Sequence, residues 1–184
     1  MINASLKKKE NIAEYLLYMW QIEDIIRAYA LDLDKIKAGI IDKYTTLSDE
    51  QRRQMYEWYE SLIDMMRREG VAVKGHLQLN RNVIIQLDDL HRRLMKEPKY
   101  SAYANQFYAT LPFIVELRAK SGDEKPGEIE SCFNALYGVL MLRLAGKDVS
   151  PETLDAIKQI SKFLAVLAAF YKKDAAGELE FTDD

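Results

Sequence analysis

Residues 12–29 read IAEYLLYMWQIEDIIRAY. Ile12, Tyr15, Leu16, Met19, Ile22, Ile26 and Tyr29 recur there at steps of three and four, the spacing that lays side chains along one face of an α-helix. Leu17 and Trp20 add apolar surface outside that stripe, so this helix is expected to be covered on more than one side. The same period recurs along nearly the whole chain. A second, shorter helix is expected from about Asp34 to Tyr44, with Ile36, Ile40 and Ile41 inward.

Ser48 is followed three residues later by Gln51, the pattern of a reciprocal helix cap, and Asp49 and Glu50 put negative charge at the positive end of the helix dipole. This third helix should stop at Gly70. Val71–Gly75 then reads as a linker. A fourth helix with Leu79, Val83, Leu87, Leu90 and Leu94 inward should end before Pro98. The fifth, about Tyr100 to Ala119, contains Pro112, which removes a backbone donor and crowds the carbonyl of Tyr108; a kink is expected. Ser121–Gly127 reads as a loop. The sixth, Glu128–Ala145, is apolar on almost every side and is expected to be central. Ser150-Pro151-Glu152 opens a seventh that runs to about Lys173. The expected fold is all-α, a single-domain bundle of about seven helices over residues 1–176, followed by a frayed acidic tail, 177–184.

Composition narrows the function. The 184 residues are 48% hydrophobic and 30% charged, which suits a globular core and not a disordered chain. One cysteine, Cys132, excludes an internal disulfide framework and a zinc site built on several thiolates; a lone thiol also fits a cytoplasmic location. A net charge of -3 argues against a protein whose main task is gripping nucleic acid. Lys7–Lys9 precede an apolar run broken by Glu10, Glu14, Glu23 and Asp24, unlike a signal peptide, and no stretch is apolar enough to span a membrane. No cofactor and no metal site is expected.

Several constellations invite a chemical reading. Glu57 and Glu60 form an E-x-x-E element, with Asp88 and Asp89 on the next helix; helical nucleotide hydrolases that hold Mg²⁺ resemble this in outline. The second element is incomplete here, and Glu57 and Glu60 lie opposite the apolar side, with Arg53 and Arg68 placed as surface partners of Glu57 and Asp64. His91 falls at the edge of an apolar stripe, either packed in the core and hydrogen-bonded or acting as an acid–base group. His76 sits in or beside the linker, without a metal-binding motif around it.

Two charges interrupt apolar arcs. Glu23 falls between Met19 and Leu16 on the helical wheel, and Arg143 between Cys132 and Leu136. Burying either unpaired would cost several kcal/mol. Glu23 is therefore expected to join a polar cluster with Arg27, one turn away, or with Arg143. The functional version of this is a small anionic-ligand site, or an enzyme site, formed by Glu23, Arg27, Arg143, His91 and Trp20. Against it stands a non-catalytic reading, a helical protein that acts by homodimerising or by binding a protein partner, with the apolar run Phe163–Tyr171 as the expected interface.

The strings Lys9-Glu10-Asn11-Ile12-Ala13-Glu14-Tyr15, Tyr18-Met19-Trp20-Gln21-Ile22-Glu23-Asp24 and Gly75-His76-Leu77-Gln78 resemble a family of small uncharacterised proteins of Bacteroides-type bacteria, a domain of unknown function. The resemblance covers most of the chain. It implies a bacterial cytoplasmic origin and an all-helical fold, and it carries over no catalytic residue.

Overall fold

The computed structural model describes residues 2–119 and 126–182. Among these residues there are eight α-helices and no strand: α1 (Ile2–Glu10), α2 (Ile12–Ala28), α3 (Leu33–Gly39), α4 (Asp49–Arg68), α5 (Gln78–Lys96), α6 (Ser101–Ala119), α7 (Glu128–Leu144) and α8 (Pro151–Ala175). Short 3-10 turns lie at Ile41–Lys43 and Pro98–Tyr100. The all-α expectation holds, with one helix more than expected. The addition is α1, whose lysine-rich sequence lacks an apolar stripe. Asn11 divides it from α2, and its Oδ1 accepts a hydrogen bond from the Ala13 amide 3.0 Å away. Most of the expected 121–127 loop, residues 121–125, lies outside the described residues.

The caps read from the sequence are in place. Ser48 accepts from the Gln51 amide, and the Gln51 side chain accepts from the Ser48 amide. Ser150 accepts from the Thr153 amide, with Pro151 opening α8. α6 runs through Pro112 to Ala119.

Contacts gather the chain into two compact units, residues 1–10 with 14–83, and residues 11–13 with 84–184. In the first unit Leu16, Met19, Ile22 and Ile26 of α2 are buried, as are Ile36 of α3 and Tyr59, Leu62, Ile63 and Met66 of α4. In the second, α6, α7 and α8 pack against one another. Its buried residues include Leu87, Leu90 and Leu94 of α5, Tyr103 and Phe107 of α6, Ile129, Cys132 and Phe133 of α7, and Phe163, Leu164 and Leu167 of α8.

The expectation that the sixth predicted helix, α7, is central holds for its first half only. Past Val139 its side chains come to the surface, and Leu142, Arg143 and Leu144 are all exposed. The apolar run in α8 has the opposite fate. Phe163, Leu164, Leu167 and Ala168 are buried in the second unit, so the residues expected to form an interface are largely used up in its own core.

Candidate functional site

Glu23 and Arg27 are four residues apart on α2, so they rise from one side of the helix a turn apart. The sequence suggested that they pair with each other; the structure pairs each with the connection between α4 and α5. Glu23 is completely buried. One carboxylate oxygen accepts from the Leu77 amide at 2.8 Å and from Asn80 Nδ2 at 2.7 Å, and the other meets His76 Nδ1 at 2.5 Å. Arg27 does the reverse. Its guanidinium donates to the carbonyls of Val71, at 3.2 Å, and Gly75, and to Asp24 at 2.7 Å.

The local chemistry explains why an anion is tolerated there. The first amides of α5 have no intrahelical acceptor, and α5 does not cap itself. Glu23 takes the Leu77 amide, and Glu69, just past the end of α4, takes the Gln78 amide at 2.6 Å. Two carboxylates thus meet the positive end of the α5 dipole. Gly75 has φ of +88°, a left-handed backbone that side chains other than glycine rarely adopt, and this turn presents its carbonyl to Arg27.

His76 completes the cluster. Its ring stacks on Trp20, with centroids 4.2 Å apart and planes 13° from parallel. Nδ1 faces the buried carboxylate, whereas Nε2 has no hydrogen-bond partner among the described residues and is not buried; the His76 side chain is 28% exposed. Asn80 is fully buried, and its Oδ1 has no partner among the described residues. Such a carboxylate–imidazole pair has the parts of an acid–base group, but two clefts of the first unit lie elsewhere. One, about 790 Å³, is lined by Leu31, Asp32, Glu60, Asp64 and Arg67 among others. The other, about 190 Å³, includes Lys8, Tyr15, Trp58 and Leu79. Neither includes Glu23 or His76. The cluster acts as a fastening that ties the 71–77 connection to α2.

The remaining candidates fall elsewhere. His91, in the second unit, is buried; its Nδ1 lies 2.6 Å from the Tyr103 hydroxyl, and Phe107 and Phe163 stand edge-on to its ring. Burial lowers its proton affinity below the ordinary histidine value, with Asp88 opposing and Arg92 assisting. Arg143 is exposed near the end of α7, so it does not partner the buried Glu23. Of the five residues, Trp20, Glu23 and Arg27 belong to the first unit, beside His76 and Asn80, while His91 and Arg143 belong to the second.

Three of the four acids proposed for Mg²⁺ are held in surface pairs, and the fourth is exposed. Glu57 pairs with Arg53 at 3.2 Å, Asp88 with Arg92 at 3.3 Å and Asp89 with Arg93 at 3.3 Å, while Glu60 is exposed. No group of three or more potential metal-ligating side chains converges among the described residues. Cys132 is buried, and its thiol is pushed up to about 12 by that burial, with Glu128 adding to the effect, so it stays protonated and unreactive.

The second unit also carries apolar groups at its surface. Tyr108 and Val115 are seven residues, or two turns, apart on one face of α6 and are 59% and 57% exposed. Leu142 and Leu144 on α7 are 38% and 68% exposed. Sequence reading passed over these residues because periodicity marks the apolar sides of a helix and cannot say which of them is left uncovered.

The chain belongs to the family described as Domain of unknown function (DUF4924), whose model matches residues 1–178. No curated protein and no solved structure matches it.

Proposed function

We propose that this family member is a non-catalytic, cytoplasmic bacterial protein that works by homodimerising through the apolar surface of α6 and α7. The observation that carries the reading is the exposure of Tyr108, Val115, Leu142 and Leu144 on two helices of the second unit. Large apolar side chains on exposed helix faces gain by being removed from water, at roughly 25 cal/mol per Å². A two-fold contact is the commonest way for a soluble chain to cover such a face, because one patch then serves both partners. The polar clusters support the same view, since their buried groups are committed to holding the fold. A free thiol kept as a buried side chain suits a reducing compartment.

The test is the molecular mass in solution, measured by light scattering across a wide concentration range. The unmodified chain should give a dimer mass that falls on dilution. Val115→Glu or Leu144→Glu should move it to the monomer without altering the helical circular dichroism. A monomer mass for the unmodified chain at every concentration would refute the reading.

A further inference from the structure

The sequence predicts a frayed tail after residue 176, yet Gly177–Thr182 is held against the second unit by a specific set of contacts. α8 ends with Gly177 at φ +71°, and the Glu178 amide returns to the Lys173 carbonyl at 2.9 Å. The next residues form no helix or strand. The Glu180 carboxylate meets Lys99 Nζ at 2.5 Å, while its amide donates to the Tyr100 hydroxyl at 3.2 Å and its carbonyl accepts from that hydroxyl at 3.0 Å. The Phe181 ring lies against the Arg93 guanidinium, 4.7 Å from its centroid, and edge-on to Tyr100. The Thr182 amide and hydroxyl both donate to Glu97, at 2.8 and 2.7 Å.

The receiving groups are positioned by contacts that do not involve the tail. Arg93 is gripped by Asp174 through two bonds, at 3.2 and 2.7 Å, and by Asp89. Tyr100 packs edge-on to Phe170. Glu97 and Lys99 flank or form the 3-10 turn between α5 and α6. These groups read a carboxylate, then an aromatic ring, then a donor, on three successive residues, and two of the three contacts use main-chain atoms. That is how a groove recognises a short peptide. The hydrogen bonds that hold the tail are exposed, so each is weak, and the covalent tether supplies much of the occupancy. The family match covers residues 1–178, short of residues 180–182.

We infer that the surface formed by Arg93, Glu97, Lys99 and Tyr100 is a binding groove for a peptide of the pattern Glu-Phe-Thr, occupied here by the chain's own residues 180–182 as a tethered competitor. A partner presenting an acidic residue followed by an aromatic one would displace the tail, and the tail sets the threshold for that exchange.

The experiment uses the full-length chain and a fluorescent peptide with the sequence of residues 177–182. In the double variant Glu180→Ala/Phe181→Ala the tail loses its two main side-chain contacts. This variant should bind the peptide at least about tenfold more tightly than the unmodified chain, as expected when an intramolecular competitor is removed. Adding Arg93→Ala, or replacing the peptide's phenylalanine by alanine, should abolish the gain. A folded double variant that shows no saturable binding, or that binds no better than the unmodified chain, overturns the inference. So does equal binding of the peptide lacking phenylalanine. Should the double variant melt below the assay temperature, Glu180→Gln/Thr182→Ala serves in its place, with the same outcomes read the same way.

Discussion

Two polar side chains, one in each unit, are buried by opposite means. Glu23 in the first unit keeps its charge company with three donors: a histidine ring, a helix-initial amide and an asparagine. His91 in the second has, among the described residues, the Tyr103 hydroxyl as its hydrogen-bonding partner and otherwise aromatic rings. The difference follows from what each group can do when water is removed. A carboxylate among the donors of a helix terminus must be supplied with hydrogen bonds, whereas burial makes an imidazole harder to protonate and leaves a ring that needs little more than packing. The first arrangement ties a connection to a helix. The second fills a core.

This contrast is open to direct attack. Glu23→Ala strands three donors at once and should cost about 3–5 kcal/mol, read from urea unfolding. A cost below about 1 kcal/mol would mean that the donors find water and that the cluster holds nothing together. Arg27→Met removes the donor half of the same fastening, leaving the Val71 and Gly75 carbonyls without their charged partner. The expected cost is smaller, about 1.5–3 kcal/mol, with hydrogen exchange in residues 71–77 accelerated more than in α8. An even acceleration through both units would show that Arg27 acts on global stability and not on the connection.

The smallest effect belongs to His91 and depends on pH. Its proton affinity in the fold is lowered, chiefly by burial, below the ordinary value of 6.5. Below that value the unfolded chain takes up a proton that the folded chain refuses, so the contribution is complete above 6.5 and is lost as the solution is acidified. His91→Gln should flatten the stability profile in that range while keeping a polar group near Tyr103. Parallel profiles for the variant and the unmodified chain would assign the acid sensitivity to other groups.

Much of the architecture can be read from local patterns. The stripe in residues 12–29, the reciprocal cap at Ser48 and Gln51, and the Ser150-Pro151 start each depend on neighbours within a turn or two, and each is found in place. α1 escaped notice because three successive lysines conceal any apolar side. The burial of Glu23 was also legible, because its position on the wheel requires it, but its partners were not. Arg27 and Arg143 were the expected partners since opposite charge is the obvious compensation; the actual donors, His76, Leu77 and Asn80, lie more than fifty residues along the chain. A cue was available in the weak start of α5, a helix whose first amides need acceptors from somewhere else.

What the sequence by itself determined is every helix but α1, several helix ends and the sides that seek burial, because hydrophobic spacing and capping act over a few residues. The tertiary structure alone decided which apolar sides stay uncovered on α6 and α7, which groups accompany Glu23, and that residues 180–182 lie against Arg93, Glu97, Lys99 and Tyr100. Those outcomes depend on long-range closure, in which separate segments compete for the same partners, and no local period records who wins.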